Sequence, residues 1–252
     1  MASVWLCVFV ALLAFGSGVL GLYLQRLLPE QHASASRDMI GAIVGLVSLL
    51  LALALGTLIG SAYSFYSTQK SELETFASRA IQLDLALAEF GPETMIARQK
   101  MKATLQNVHD AIWGAGGFDA IDLSVNSPLP HLRALDEYLA SLDPKTPAQR
   151  QFAATANMAA GIMEQTRILI SLQLASPISW PLVVIVVSWA LILFSGFGFM
   201  SRITATTLAA LGLGSFAVGS ALFLILELSE PFDGLFPVPP GAFEQMLAVL
   251  AK

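Results

Sequence analysis

The chain has one cysteine, three histidines, and charged side chains at only 12% of its 252 positions. Cys7 has no mate, so neither a disulfide framework nor a thiolate metal site can be built from it, and inside an apolar run it reads as a passive apolar residue. His32, His109 and His131 stand in different segments without a partner at ligand spacing, and no metal or other cofactor is expected. No serine occupies a Gly-x-Ser-x-Gly elbow, and the "GAGG" that holds Gly114, Gly116 and Gly117 lacks the strand and helix of a phosphate cradle. Asp119 and Asp122 come nearest to a carboxylate pair and read as solvated loop residues. An enzyme is therefore not expected. The basic residues are scattered against a net charge of -5, which removes the footprint of a nucleic-acid partner or of binding to an anionic lipid surface.

What the chain does have is hydrocarbon. Hydrophobic residues make up 56% of the sequence and mean hydropathy is +0.70, which belongs to proteins solvated by a lipid bilayer. A hydrocarbon core needs about 20 apolar residues at 1.5 Å each. Four windows satisfy this: Val4 to Leu24, Met39 to Phe65, Pro181 to Met200, and Ile203 to Leu228. The first has no basic residue before it and exceeds the length of a signal's apolar region, so it reads as a retained span. Ser67 to Ser176 has the opposite character and holds 12 of the 18 acids and 9 of the 13 bases. Met101, Leu105, Val108 and Ile112, then Leu132, Leu135, Tyr138 and Leu139, repeat at the spacing of amphipathic helices, and strand alternation is not evident.

Breaks at Gly91-Pro92, at the glycines from Gly114 to Pro130, and at Asp143-Pro144 with Pro147 divide this excursion into helices over 68–90, 93–112, 129–142 and 147–175. No proline interrupts 39–90, so the second span can leave the membrane as one helix of roughly 75 Å. Tyr63, Phe65, Tyr66 and Trp180 suit the headgroup layer. The expected fold is all-α: a multi-pass protein with two spans in 1–66, a helical soluble region in 67–176, two further spans in 177–228, and a tail in 229–252.

Lipid offers no hydrophobic force between helices, so small residues and interhelical hydrogen bonds must hold spans together. Gly41, Gly45, Ser48, Ala52, Gly56 and Gly60 keep to one side of the second span, and Gly212, Ser215 and Gly219 repeat the theme in the fourth. Such a stripe serves packing within one subunit or contact between subunits. The fourth span's face, carried forward, reaches Glu227 and Glu230, with Asp233 beyond. A carboxylate beside lipid faces protein or water, so this acidic boundary is expected either against neighbouring helices or in an aqueous vestibule. Pro231 ends the helix and Gly234 permits the turn after it.

The stretch "FLILELSEPFDGLFPVPPGAFEQML" resembles the C-terminal signature of the bestrophin-like domain family of bacterial integral membrane proteins. Its most specific piece is Leu226, Glu227, Leu228, Pro231, Phe232 and Gly234. The resemblance extends over nearly the whole chain, through "RLLP" at Arg26 to Pro29, "ALGTLIGSAYSFYSTQKSELETFASRA", Trp113 and "LDPKTPAQR". Members often carry an aspartate and a basic residue where this chain has Ser229 and Glu230, so the boundary here is more acidic.

By analogy with bestrophins, the resemblance implies a homo-oligomeric channel for small inorganic ions. It further implies a pentamer with an axial pore lined by the second span, and termini in the cytoplasm. Matched by place, Leu55, Ile59, Tyr63 and Tyr66 are the candidates for an apolar constriction. The rival is a non-conducting scaffold or sensor that relays a packing change to the soluble helices. Arg26, Arg37 and Arg202 nearly balance Lys70, Arg79 and Arg167 across the membrane, so the cytoplasmic side of the bacterial inner membrane is assigned to the soluble region by the resemblance.

Overall fold

The computed structural model describes residues 2–27, 30–114, 130–174, 180–232 and 234–251. Among these the secondary structure is helical, with no strand. The helices are α1 (Ala2–Leu27), α2 (Glu30–Phe90), a 3₁₀ turn (Pro92–Thr94), α3 (Met95–Trp113), α4 (Pro130–Ser141), α5 (Pro147–Leu174), α6 (Trp180–Met200), α7 (Ala205–Leu228) and α8 (Gly241–Leu250). Four of them, α1, α2, α6 and α7, contain a stretch long and apolar enough to cross a membrane. The chain divides into two compact units, Met1–Phe65 with Ile178–Ser229, and Tyr66–Pro177 with Glu230–Lys252.

In the first unit α1 packs on both α6 and α7. Glycines let backbones meet. A Cβ added at Gly21 would lie 2.1 Å from Ser195 O, and one at Gly198 would lie 2.0 Å from Gly18 O. Val44 of α2 fills the notch at Gly196, where a Cβ would meet its Cγ2 at 2.3 Å. Around these crossings Val10, Ala14, Leu22, Val186, Ala190, Leu222 and Ile225 form an apolar core. The opposite sides of the helices expose Phe9, Leu12, Leu213 and Phe216, the surface expected of rods solvated by acyl chains.

The second unit is built as a water-soluble bundle is, with amphipathic helices closing over one core. Leu83, Leu87, Met163, Phe243 and Met246 are fully buried there. α2 runs unbroken to Phe90, as the lack of proline predicts, and starts earlier than the apolar window. Gly91 then turns the chain with φ +147°, a conformation that favours glycine, and Pro92 opens the next turn. Thr94 closes the corner from inside: its buried hydroxyl lies 2.6 Å from Leu87 O and 2.8 Å from Gly91 O, one donor shared by two helix-end carbonyls. Thr94→Val keeps the shape and the bond from the Thr94 N–H to Gly91 O at 3.2 Å but removes the buried hydroxyl's bonds, and should lower unfolding free energy by about 1 kcal/mol, read from denaturant titration of the protein in detergent.

The tail assigned to 229–252 contains an element the sequence reading did not anticipate. Phe243, Met246 and Leu250 of α8 are buried in the second core, at helical spacings of three and four. The helix is short, ten residues, and its apolar face is what stabilises it.

Candidate functional site: the second span and the acidic boundary

The side of α2 carrying Val44, Leu51 and Ala62 is buried in the first unit's core. Leu55 and Ile59 are half-buried against the same core. Tyr63 is 62% exposed. At 100° per residue it falls within about 20° of Gly45 and Gly56, so it prolongs the glycine side of the helix. Tyr66 belongs to the second unit, where it packs against the core and its hydroxyl donates a long hydrogen bond, 3.5 Å, to Pro237 O. The four candidates therefore sit in three different settings.

The glycines divide as well. A Cβ at Gly41 would meet Met200 Cε at 3.1 Å, one at Gly219 would meet Ala11 Cβ at 2.9 Å, and one at Gly212 would just touch Phe15 at 3.9 Å. These three face helices of their own chain. At Gly45, Gly56 and Gly60 an added Cβ would meet nothing within 4 Å. At Gly45, Gly56 and Gly60 the notched side of α2 is thus unoccupied by this chain, whereas at Gly41 it meets α6.

At the acidic boundary Glu227 lies in the last turn of α7 and is only 1% exposed, whereas Glu230 is exposed; neither is without a partner. The helical face does not continue to Glu230. Ser229 caps α7 by donating from its hydroxyl to Ile225 O at 2.7 Å and from its N–H to Leu226 O at 3.1 Å, and Pro231 has no N–H with which to extend the ladder. Asp233 lies outside the described residues, as do Asp119 and Asp122 and the side chains of His32 and His131.

Beyond the cap, the signature residues fold into the second unit. Val238 N donates to Pro231 O at 2.7 Å, closing a loop in which Gly234 takes φ +132° and Phe232 is buried. Trp113 Nε1 donates to Val238 O at 2.9 Å. The indole also stands 5.6 Å from the Phe243 ring and 5.4 Å from His109. His109 is thereby part of an aromatic cluster, its Nδ1 3.1 Å from Asp110 Oδ1. No three His, Cys, Asp or Glu side chains among the described residues gather as metal ligands would.

The family model for the Bestrophin-like domain matches residues 10–243, from within α1 through the signature loop. The chain belongs to the bestrophin-like domain family. It is also similar in structure to two crystal structures of single-substitution variants of a bacterial bestrophin homolog from Klebsiella pneumoniae. The first superposes with a TM-score of 0.70 at 14% identity, covering 98% of this chain and 99% of that one. The second does so with a TM-score of 0.62 at 14% identity, covering 96% and 97%. No curated protein matches the chain. At this identity the likeness establishes the fold, a bestrophin-like helical membrane protein, and the function has to be argued from the site.

Proposed function

We propose that this bestrophin-like protein is one subunit of a homo-oligomeric ion channel whose axial pore is lined by α2, with five copies around the axis by analogy with bestrophins. The observation that carries the proposal is the unoccupied side of α2. In lipid a helix has little reason to keep a row of glycines bare, because close approach is what glycine contributes there. A stripe that meets no atom of its own chain at Gly45, Gly56 and Gly60 fits contact with further copies or with a water-filled axis. Tyr63, with Ile59 beside it, would then line the narrow apolar stretch that gates by dewetting, Leu55 lying toward the packed side near the buried Ala62, and Tyr66 would mark its end. We place the protein in the inner membrane with the second unit in the cytoplasm. If Glu230, exposed as it is, stands at the mouth, its repeated charge favours cations over chloride.

Purified protein in liposomes should pass ions down a sodium or chloride gradient. Tyr63→Ala, which removes an exposed aromatic without touching the core, should increase that flux severalfold, and Ile59→Ala should do so in oligomers whose elution is unchanged. Silence of well-folded oligomers in both gradients would reject conduction and favour the non-conducting scaffold.

A further inference from the structure

A groove of about 420 Å³ opens on the second unit, far along the chain from the residues assigned to the pore. Its wall is formed by Ile96, Met101 and Leu105 of α3, Leu135 of α4 and Met163 of α5. The volume is that of a small-molecule site, and apolar walls with a few polar groups are the usual composition of one. Two of the polar side chains of the wall are already committed, and the Asn107 amide is the third. Thr104 Oγ1 donates to Lys100 O at 2.9 Å, and the Tyr138 hydroxyl donates to Glu93 O at 3.0 Å. Burial, with the Glu93 charge adding to it, pushes the Tyr138 pKa up, so this phenol stays neutral.

One charged group is left. Lys100 is the only charged side chain lining the groove among the described residues, and no described carboxylate pairs with it. The residue stands out in a chain of net charge -5. At the rim Ile96 is 67% exposed and extends the apolar wall toward solvent. An apolar trough with a single cation, and beside it only the Asn107 amide and two hydroxyls that already donate elsewhere, suits a ligand with a hydrocarbon body and one negative end.

We propose that this groove binds a fatty-acid carboxylate, its acyl chain along Ile96, Met101, Leu105, Leu135 and Met163 and its head group on the Lys100 ammonium. The site is independent of conduction: it would exist equally in a channel and in a scaffold.

The test uses the full chain in phosphatidylcholine nanodiscs, which avoids competition from detergent, with radiolabelled saturated carboxylates from six to sixteen carbons and with empty discs subtracted. Binding should saturate at one carboxylate per chain. It should tighten about fourfold for each added CH₂ until the groove is full, and then level off. Dodecanoate should bind more tightly than dodecanol. Lys100→Gln should weaken dodecanoate about three- to fivefold and abolish that preference. Ala103→Trp, an exposed position on the wall, should fill the groove and remove saturable binding while leaving elution and helix content unchanged. Equal binding of alcohol and carboxylate, no plateau with chain length, or full binding to Ala103→Trp would overturn the proposal in favour of simple partitioning. If Ala103→Trp instead breaks the oligomer, the groove is covered by a second copy and the proposal is equally rejected.

Discussion

Gly198→Val should abolish folded protein. The added Cβ would lie 2.0 Å from Gly18 O and 2.9 Å from that residue's carbonyl carbon, both backbone atoms, so neither helix can yield by turning a side chain. Two spans would have to separate, giving up dispersion contacts along α1 and α6 that lipid cannot replace with a hydrophobic force. The expected cost is about 4 kcal/mol or more, in the range where one change removes most of a domain's stability. Gly21→Val, 2.1 Å from Ser195 O, should behave alike. Gly56→Ala is the matched control: its Cβ meets nothing within the chain, so each subunit should fold, and any effect should appear only between copies. Detergent extraction followed by size exclusion separates the outcomes, aggregate for the α1–α6 variants and a folded peak for Gly56→Ala.

Asp84→Asn should produce the largest loss in the second unit. Asp84, 6% exposed on α2, receives two hydrogen bonds of 2.7 Å from Arg98 of α3, one from Nε and one from Nη2. This fork holds both partners in one geometry. The hydrogen bonds from the guanidinium to Asp84 push the Arg98 pKa up against the desolvation that lowers it, so the pair holds its cation. Removing the carboxylate charge leaves Arg98 without its counterion, at an expected cost of about 2–3 kcal/mol. The double variant Asp84→Leu with Arg98→Met should recover much of this, since an apolar pair of similar volume carries no desolvation penalty. A double-mutant cycle by chemical denaturation measures both.

Much of the fold was legible because bilayer solvation imposes a length and a composition that few soluble segments share. The four apolar windows coincide with helices, and the absence of proline between 39 and 90 foretells the unbroken α2. The helices of the excursion fall where glycine and proline divide it, because those residues remove the donors or supply the φ values that end helices. α8 was missed for a physical reason: at ten residues it is too short to be a helix on propensity alone, and only the neighbours of Phe243 and Met246 make it one. The glycines were only half legible. Gly18, Gly21, Gly196 and Gly198 are at or beside the tightest helix crossings, yet the regular stripe in α2 draws the eye first. Spacing shows that a helix has a notched side; it cannot show which notch another helix fills. Likewise the small-residue face of α7 points on toward Glu230, but the serine cap and Pro231 stop the helix at Leu228.

If α2 lines a pore as proposed, its bare side faces a water-filled axis shared by several copies. Single cysteines placed from Leu55 to Tyr66, in a Cys7→Ala background and in membranes, should be probed with a charged thiol reagent that cannot cross lipid. The account predicts reaction at the positions on the Gly56, Gly60 and Tyr63 side and protection at Leu58 and Ala62. Protection at every position, or reaction that follows depth along the helix with no side preferred, would contradict it.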